Sequence, residues 1–88
     1  MKRWTQIFKA LANFNRLKII KLLSDGRALN VSDIAGEIGI SLNATSKHLI
    51  ILSNFDVLDS NGREGHVFYN LNPKMPLDIR KGVNLFLG

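Results

Sequence analysis

Asn43, Ser46, Lys47 and His48 set a carboxamide, a hydroxyl, an ammonium and an imidazole within six residues. A 3.6-residue repeat brings the first three to one side of a helix together with Leu42 and Ile50. Amides and hydroxyls both donate and accept, which suits the edges of bases in a groove, whereas a lysine ammonium suits a phosphate. A plain solvated helix face carries the same residue types, so the segment preceding this one has to decide between the two readings. His48 has no carboxylate near it in sequence and reads as a bridge from its helix to the body of the protein as readily as a groove contact. A further basic candidate is Arg63, inside the Gly-rich stretch Asn61-Gly62-Arg63-Glu64-Gly65. It can reach a phosphate or the minor groove, or simply be solvated.

Other chemistries lack their parts. The chain has no Cys, which removes disulfides, thiolate metal sites and thiol redox sensing from these 88 residues. A tetrahedral zinc site takes four ligands, and the only imidazoles are His48 and His66. No metal site and no cofactor are expected. There is also no activated nucleophile, no carboxylate pair with a shared purpose and no Gly-rich phosphate loop, so the sequence does not read as an enzyme.

Twelve Lys/Arg against seven Asp/Glu give a net charge of +5, which favours polyanions. Residues 1–27 carry seven basic side chains against Asp25 alone, while residues 28–60 carry Lys47 against Asp33, Glu37, Asp56 and Asp59. Phosphate charge would then be met largely by the N-terminal helices and the Gly-rich hairpin tip.

What positions Asn43, Ser46 and Lys47 is a tight turn between two short helices. Asn30 and Asp33 resemble a capping box with Asp in place of Glu, opening a helix through Ile34, Ala35 and Ile38. Gly39 stops it by adopting a positive φ, Ile40 fills the space under the turn, and Ser41 caps the next helix. That helix spans Leu42 to about Asn54, with Thr45, Leu49 and Leu52 inward. Two strands follow, at 57–60 and 66–71. A two-residue turn at Asn61-Gly62 would oppose Asp59 and Glu64, so a four- or five-residue loop is expected instead, with Leu58 against Val67 or Phe68 and Arg63 at the tip.

Upstream, Trp4, Ile7, Phe8 and Leu11 form an amphipathic helix, and Asn13 caps a second one in which Leu17, Ile20 and Leu23 share a face. Downstream, Pro76 suits the first turn of a last helix carrying Ile79, Val83, Phe86 and Leu87, which Gly82 weakens by roughly 1 kcal/mol relative to Ala. A chain this short buries a modest fraction of its surface, so pairing with a second copy is expected. With no apolar leader and no run long enough for a bilayer, the sequence reads as one soluble cytoplasmic domain over residues 1–88 with no membrane partner. Its fold class is mainly α with a small β-hairpin, in the order α-α-α-α-β-β-α of a winged helix-turn-helix.

The residues that carry this pattern resemble the ArsR-type winged-helix transcriptional repressors. They are Leu11-Ala12-Asn13 through Leu22-Leu23, Asp33-Ile34-Ala35, Ile38-Gly39-Ile40-Ser41, Ser46-Lys47-His48-Leu49 with Leu52, and Val67-Phe68-Tyr69-Asn70-Leu71. The resemblance implies a homodimer on a palindromic stretch of double-stranded DNA, released by an effector that the sequence does not identify. It implies DNA contacts from Leu42, Asn43, Ser46, Lys47 and His48, with Arg63 on the wing at 61–66, and a dimer interface of Trp4, Ile7, Phe8, Leu11, Ile79, Val83 and Phe86. Members that sense metals carry a Cys pair where this chain has Asn30 and Ser32, or an Asp and His pair where it has Asp78-Ile79-Arg80. An alternative reading, favoured by the acidic 28–60 stretch, is a winged-helix module that binds protein without reading DNA.

Overall fold

A computed structural model describes residues 2–88, and three of its helices begin on the side chains the sequence marks. Asn13 accepts a hydrogen bond from the Arg16 backbone N–H at 3.0 Å and opens α2 (Phe14–Leu22). Asn30 accepts from the Asp33 N–H at 2.8 Å and opens α3 (Val31–Ile38), and Ser41 accepts from the Ala44 N–H at 3.1 Å and opens α4 (Leu42–Asn54). Each cap satisfies one of the N–H groups that a first helical turn leaves unpaired. The chain begins with α1 (Lys2–Leu11) and ends with α5 (Leu77–Leu87), where Pro76 stands at the N-cap position and not inside the first turn.

Gly39 ends α3 at φ +75°, and the N–H groups of Gly39 and Ile40 both reach the Ala35 carbonyl, at 2.8 and 3.2 Å. A Cβ there would touch nothing within 4 Å, so the glycine is required by the left-handed backbone and not by space. The end of α4 closes in the same manner without glycine. Asp56 takes φ +59°, its N–H bonds the Ser53 carbonyl, and the Val57 N–H bonds the Leu52 carbonyl, both at 3.0 Å. Leu52 and Val57 are both buried, so the cap also adds to the core.

The sheet differs from expectation in two ways. It has three antiparallel strands in the order β1-β3-β2, because Leu29–Asn30 (β1) pairs with Tyr69 and Phe68 of β3 (His66–Leu71). A two-residue strand carries too little alternation to be visible in sequence. The hairpin itself turns on two residues, Glu64 (φ +51°) and Gly65 (φ +81°), so the expected four- or five-residue loop is wrong. β2 (Leu58–Arg63) is longer than expected and Leu58 opposes Leu71, not Val67 or Phe68. Moving the turn along to 64–65 pairs Asp59 with Asn70 and sets two leucines against each other, which removes the charge conflict without lengthening the loop.

Ile7, Leu11, Ile19, Ile20, Leu23, Ile34, Leu49, Leu52, Ile79 and Val83 form one core beneath the helices, with Tyr69 and Leu71 packed on it from the sheet. On α2 the buried residues are Ile19 and Ile20, joined by Leu23 at the C-cap, with Leu17 only half-buried. The expected interface residues Ile7, Leu11, Ile79 and Val83 are corrected by this core: their own chain covers them, so they support the outer faces of α1 and α5 from below. Gly82 also gains a role. A Cβ on it would sit 3.0 Å from Leu11 Cδ1 and 3.1 Å from Ile7 Cγ2, so its bareness lets α5 close onto α1. Arg3 Nε and Asp78 Oδ2, 2.9 Å apart, tie the same two helices at the surface.

Candidate nucleic-acid interface

Thr45 is wholly buried with its hydroxyl satisfied by the Ser41 carbonyl at 2.8 Å, and the burial of Thr45, Leu49 and Leu52 fixes the rotation of α4 about its axis. With Thr45, Leu49 and Leu52 inward, Leu42, Asn43, Lys47 and Ile50 are exposed and Ser46 is half-buried beside them. The sequence thus oriented this helix correctly, and its first turn presents the Asn43 amide, with the Ser46 hydroxyl and the Lys47 ammonium one turn behind. A helix of this kind, reached through a tight turn from a preceding helix, fits the major groove with its N-terminal residues toward the base edges.

His48 leaves that group. It is half-buried and turned toward α2, where its Nδ1 lies 3.2 Å from Arg16 Nη1. A guanidinium only donates, so Nδ1 accepts, and the neutral ring carries its proton on Nε2. Burial, and then the positive charge of Arg16, hold the imidazole below its ordinary value of 6.5. Arg16 also donates to the backbone carbonyls of Ala10 and Lys9, and partial burial lowers its own pKa. One side chain of α2 therefore joins the end of α1 to the middle of α4. From sequence His48 counts among the DNA contacts with a bridging role left open, and its partner is not visible because Arg16 lies 32 residues away.

Lys18 was missed as well. Its Nζ donates to the Ile38 carbonyl at 2.9 Å, closing the end of α3 directly before the turn. The signal was present: α3 has no basic residue in its last turn, so its final carbonyls lacked a local cation. Arg3 and Arg27 pair with Asp78 and Asp25. Four of the seven N-terminal basic side chains are thus engaged within the fold, leaving Lys2, Lys9 and Lys21. Phosphate neutralisation by the N-terminal helices is smaller than their +6 suggests.

On the wing, Arg63 is held by an aromatic. Its guanidinium carbon lies 4.8 Å from the centre of the Phe68 ring, and His66 meets the same ring edge-on at 6.5 Å. Arg63 pairs with His66 directly before the turn, so its base is fixed in a strand and not carried on a mobile loop tip. The other end of the molecule is apolar. Trp4, Phe8 and Leu85 line a groove between α1 and α5 with Lys81 and Asn84, Phe86 is exposed, and the Trp4 and Phe8 rings lie 5.5 Å apart. Among the described residues no three His, Asp or Glu side chains gather as a metal site would require, and no helix is long and apolar enough to cross a membrane.

The comparisons agree with this architecture. The family model for bacterial regulatory proteins of the arsR family matches residues 14–60, the span from α2 into the wing. The cadmium resistance transcriptional regulatory proteins CadC of Listeria innocua and Lactococcus lactis are each 42% identical over 78 residues. That alignment takes in 88% of this chain but 66% of theirs, so the chain spans just under two thirds of these relatives. Among solved structures, reduced HlyU from Vibrio cholerae superposes with a TM-score of 0.75 at 27% identity over 92% of this chain and 81% of that one. A homodimeric winged helix-turn-helix DNA-binding domain from Mycobacterium bovis, a possible ArsR-family transcriptional regulator, gives 0.75 at 25% identity over 94% and 70%. A family match over more than half of the chain, taking in the helix-turn-helix and the start of the wing, places this protein in the arsR family of bacterial regulatory proteins.

Proposed function

We propose that the chain binds double-stranded DNA in a sequence-specific manner as a homodimer and acts as a cytoplasmic transcriptional regulator, repressing by occupying a palindromic site. The observation that carries this reading is the exposed first turn of α4, capped by Ser41 behind the Gly39 turn, with Arg63 anchored on the adjoining hairpin. Asn43 and Ser46 read base edges, while Lys47 and Arg63 meet phosphate or the minor groove. Leu42 belongs to the base-reading tip, and His48 positions the helix from behind. The dimer forms through Trp4, Phe8, Leu85 and Phe86. It sets two half-sites about 34–36 Å apart.

The M. bovis domain is homodimeric and the CadC proteins are cadmium resistance regulators; for this chain a cadmium response through thiolates is unavailable within the 88 residues, which hold no Cys. Selection of bound duplexes from a random pool tests the reading, because a recovered palindrome fixes specificity, symmetry and spacing together. A second reading, a module that docks on protein, draws on the exposed Leu42 and Ile50 of α4. Duplex affinity that falls steeply between low and moderate salt supports DNA binding, and no duplex binding at either salt supports the protein partner.

A further inference from the structure

Leu42 is the first residue of α4 and stays 54% exposed, directly beside Asn43 at the tip that enters the groove. It lies off the buried face of this helix, which is Thr45, Leu49 and Leu52, and about half of its surface is open to whatever the tip meets. On the DNA-binding reading, the open half of Leu42 faces the groove beside Asn43. In the major groove the base edges display donors and acceptors with one apolar exception, the C5-methyl group of thymine. A leucine set against any other base edge would desolvate polar groups without pairing them, which makes it selective by exclusion as well as by contact. We propose that Leu42 is a specificity-determining residue that selects a thymine at one position of each half-site by packing on its methyl group. Asn43 and Ser46 supply the hydrogen bonds at neighbouring positions. Ile50, 58% exposed on the same side, lies about 12 Å farther along the helix and takes no part in this selection.

The inference rests on the DNA-binding reading, and its test separates the two. The full chain is used with a duplex it has itself recovered from a random pool. Each thymine in turn is replaced by deoxyuridine, which removes the methyl and leaves every pairing and edge hydrogen-bonding group in place. One thymine per half-site should show wild-type binding weakened about fourfold on replacement, and about fifteenfold when both half-sites are changed, the size expected for one buried methyl in each. Leu42→Ala should bind thymine and deoxyuridine duplexes equally. Leu42→Met and Ile50→Ala should both keep the discrimination. All three substitutions are at exposed positions and leave the core intact. If duplexes are recovered but no thymine shows the effect, or Leu42→Ala still discriminates, the inference is wrong while DNA binding stands; if no duplex is recovered, both readings fall.

Discussion

Gly39 sets the direction of α4 through a single dihedral angle. Its φ of +75° costs an L residue about 1–2 kcal/mol, and no neighbour crowds the position, so Gly39→Ala isolates the backbone term. The variant should lose roughly 4–16 °C in melting temperature, and calorimetry showing no loss would remove the turn from the account. His48 acts at the same scale. Its folded pKa lies below 6.5, so between the two values the unfolded chain binds more protons, and the stability it contributes is complete above pH 6.5 and lost as pH falls through the folded value. Protonated Nδ1 can no longer accept from Arg16. Urea denaturation at pH 8 and pH 5 should therefore show a larger loss for wild type than for His48→Gln, and parallel losses would contradict the latch. Caps such as Asn13, Asn30 and Ser41 were legible because their partners lie three residues away; Arg16 and His48 were not, because only tertiary packing brings them together.

At the scale of elements, the helices and both hairpin strands were legible from periodicity, but the wing's register was not. Several turn positions satisfied the same apolar pattern, and the choice fell to Glu64 in a left-handed conformation, which an L residue other than Asn or Asp seldom takes. The register has a consequence. It puts Phe68 on the outer face beside Arg63 and His66, so the wing's cation rests on a ring. Such a contact contributes about 0.5–1 kcal/mol at an exposed site. Phe68→Ala should weaken duplex binding by that order, and in a double-mutant cycle with Arg63→Ala the two losses should be less than additive. Full additivity in anisotropy titrations would mean that Phe68 does not position Arg63.

For the whole molecule, the proposed function divides two tasks between the polar tip of α4 and the apolar groove between α1 and α5, contact with DNA and contact with a second copy. The sequence assigned a dimer interface to α1 and α5 and chose its residues by apolar type. Four of the seven belong to the core, while Leu85, 70% exposed in the groove between α1 and α5, falls outside the stripe of Ile79, Val83 and Phe86. Leu85→Glu should leave the fold intact and shift sedimentation equilibrium from dimer to monomer. A variant that remains dimeric would place the twofold contact elsewhere.

The central proposition, that the Gly39 turn presents the first turns of α4 to DNA, meets its most direct test in the salt dependence of duplex affinity for wild type and Lys47→Ala. Each phosphate contact contributes about 0.9 to the slope of log K against log salt, so removal of one per protomer should flatten the slope of the dimer by about 1.8 and weaken binding to all sequences alike. An unchanged slope and unchanged affinity would show that this face of α4 does not meet DNA.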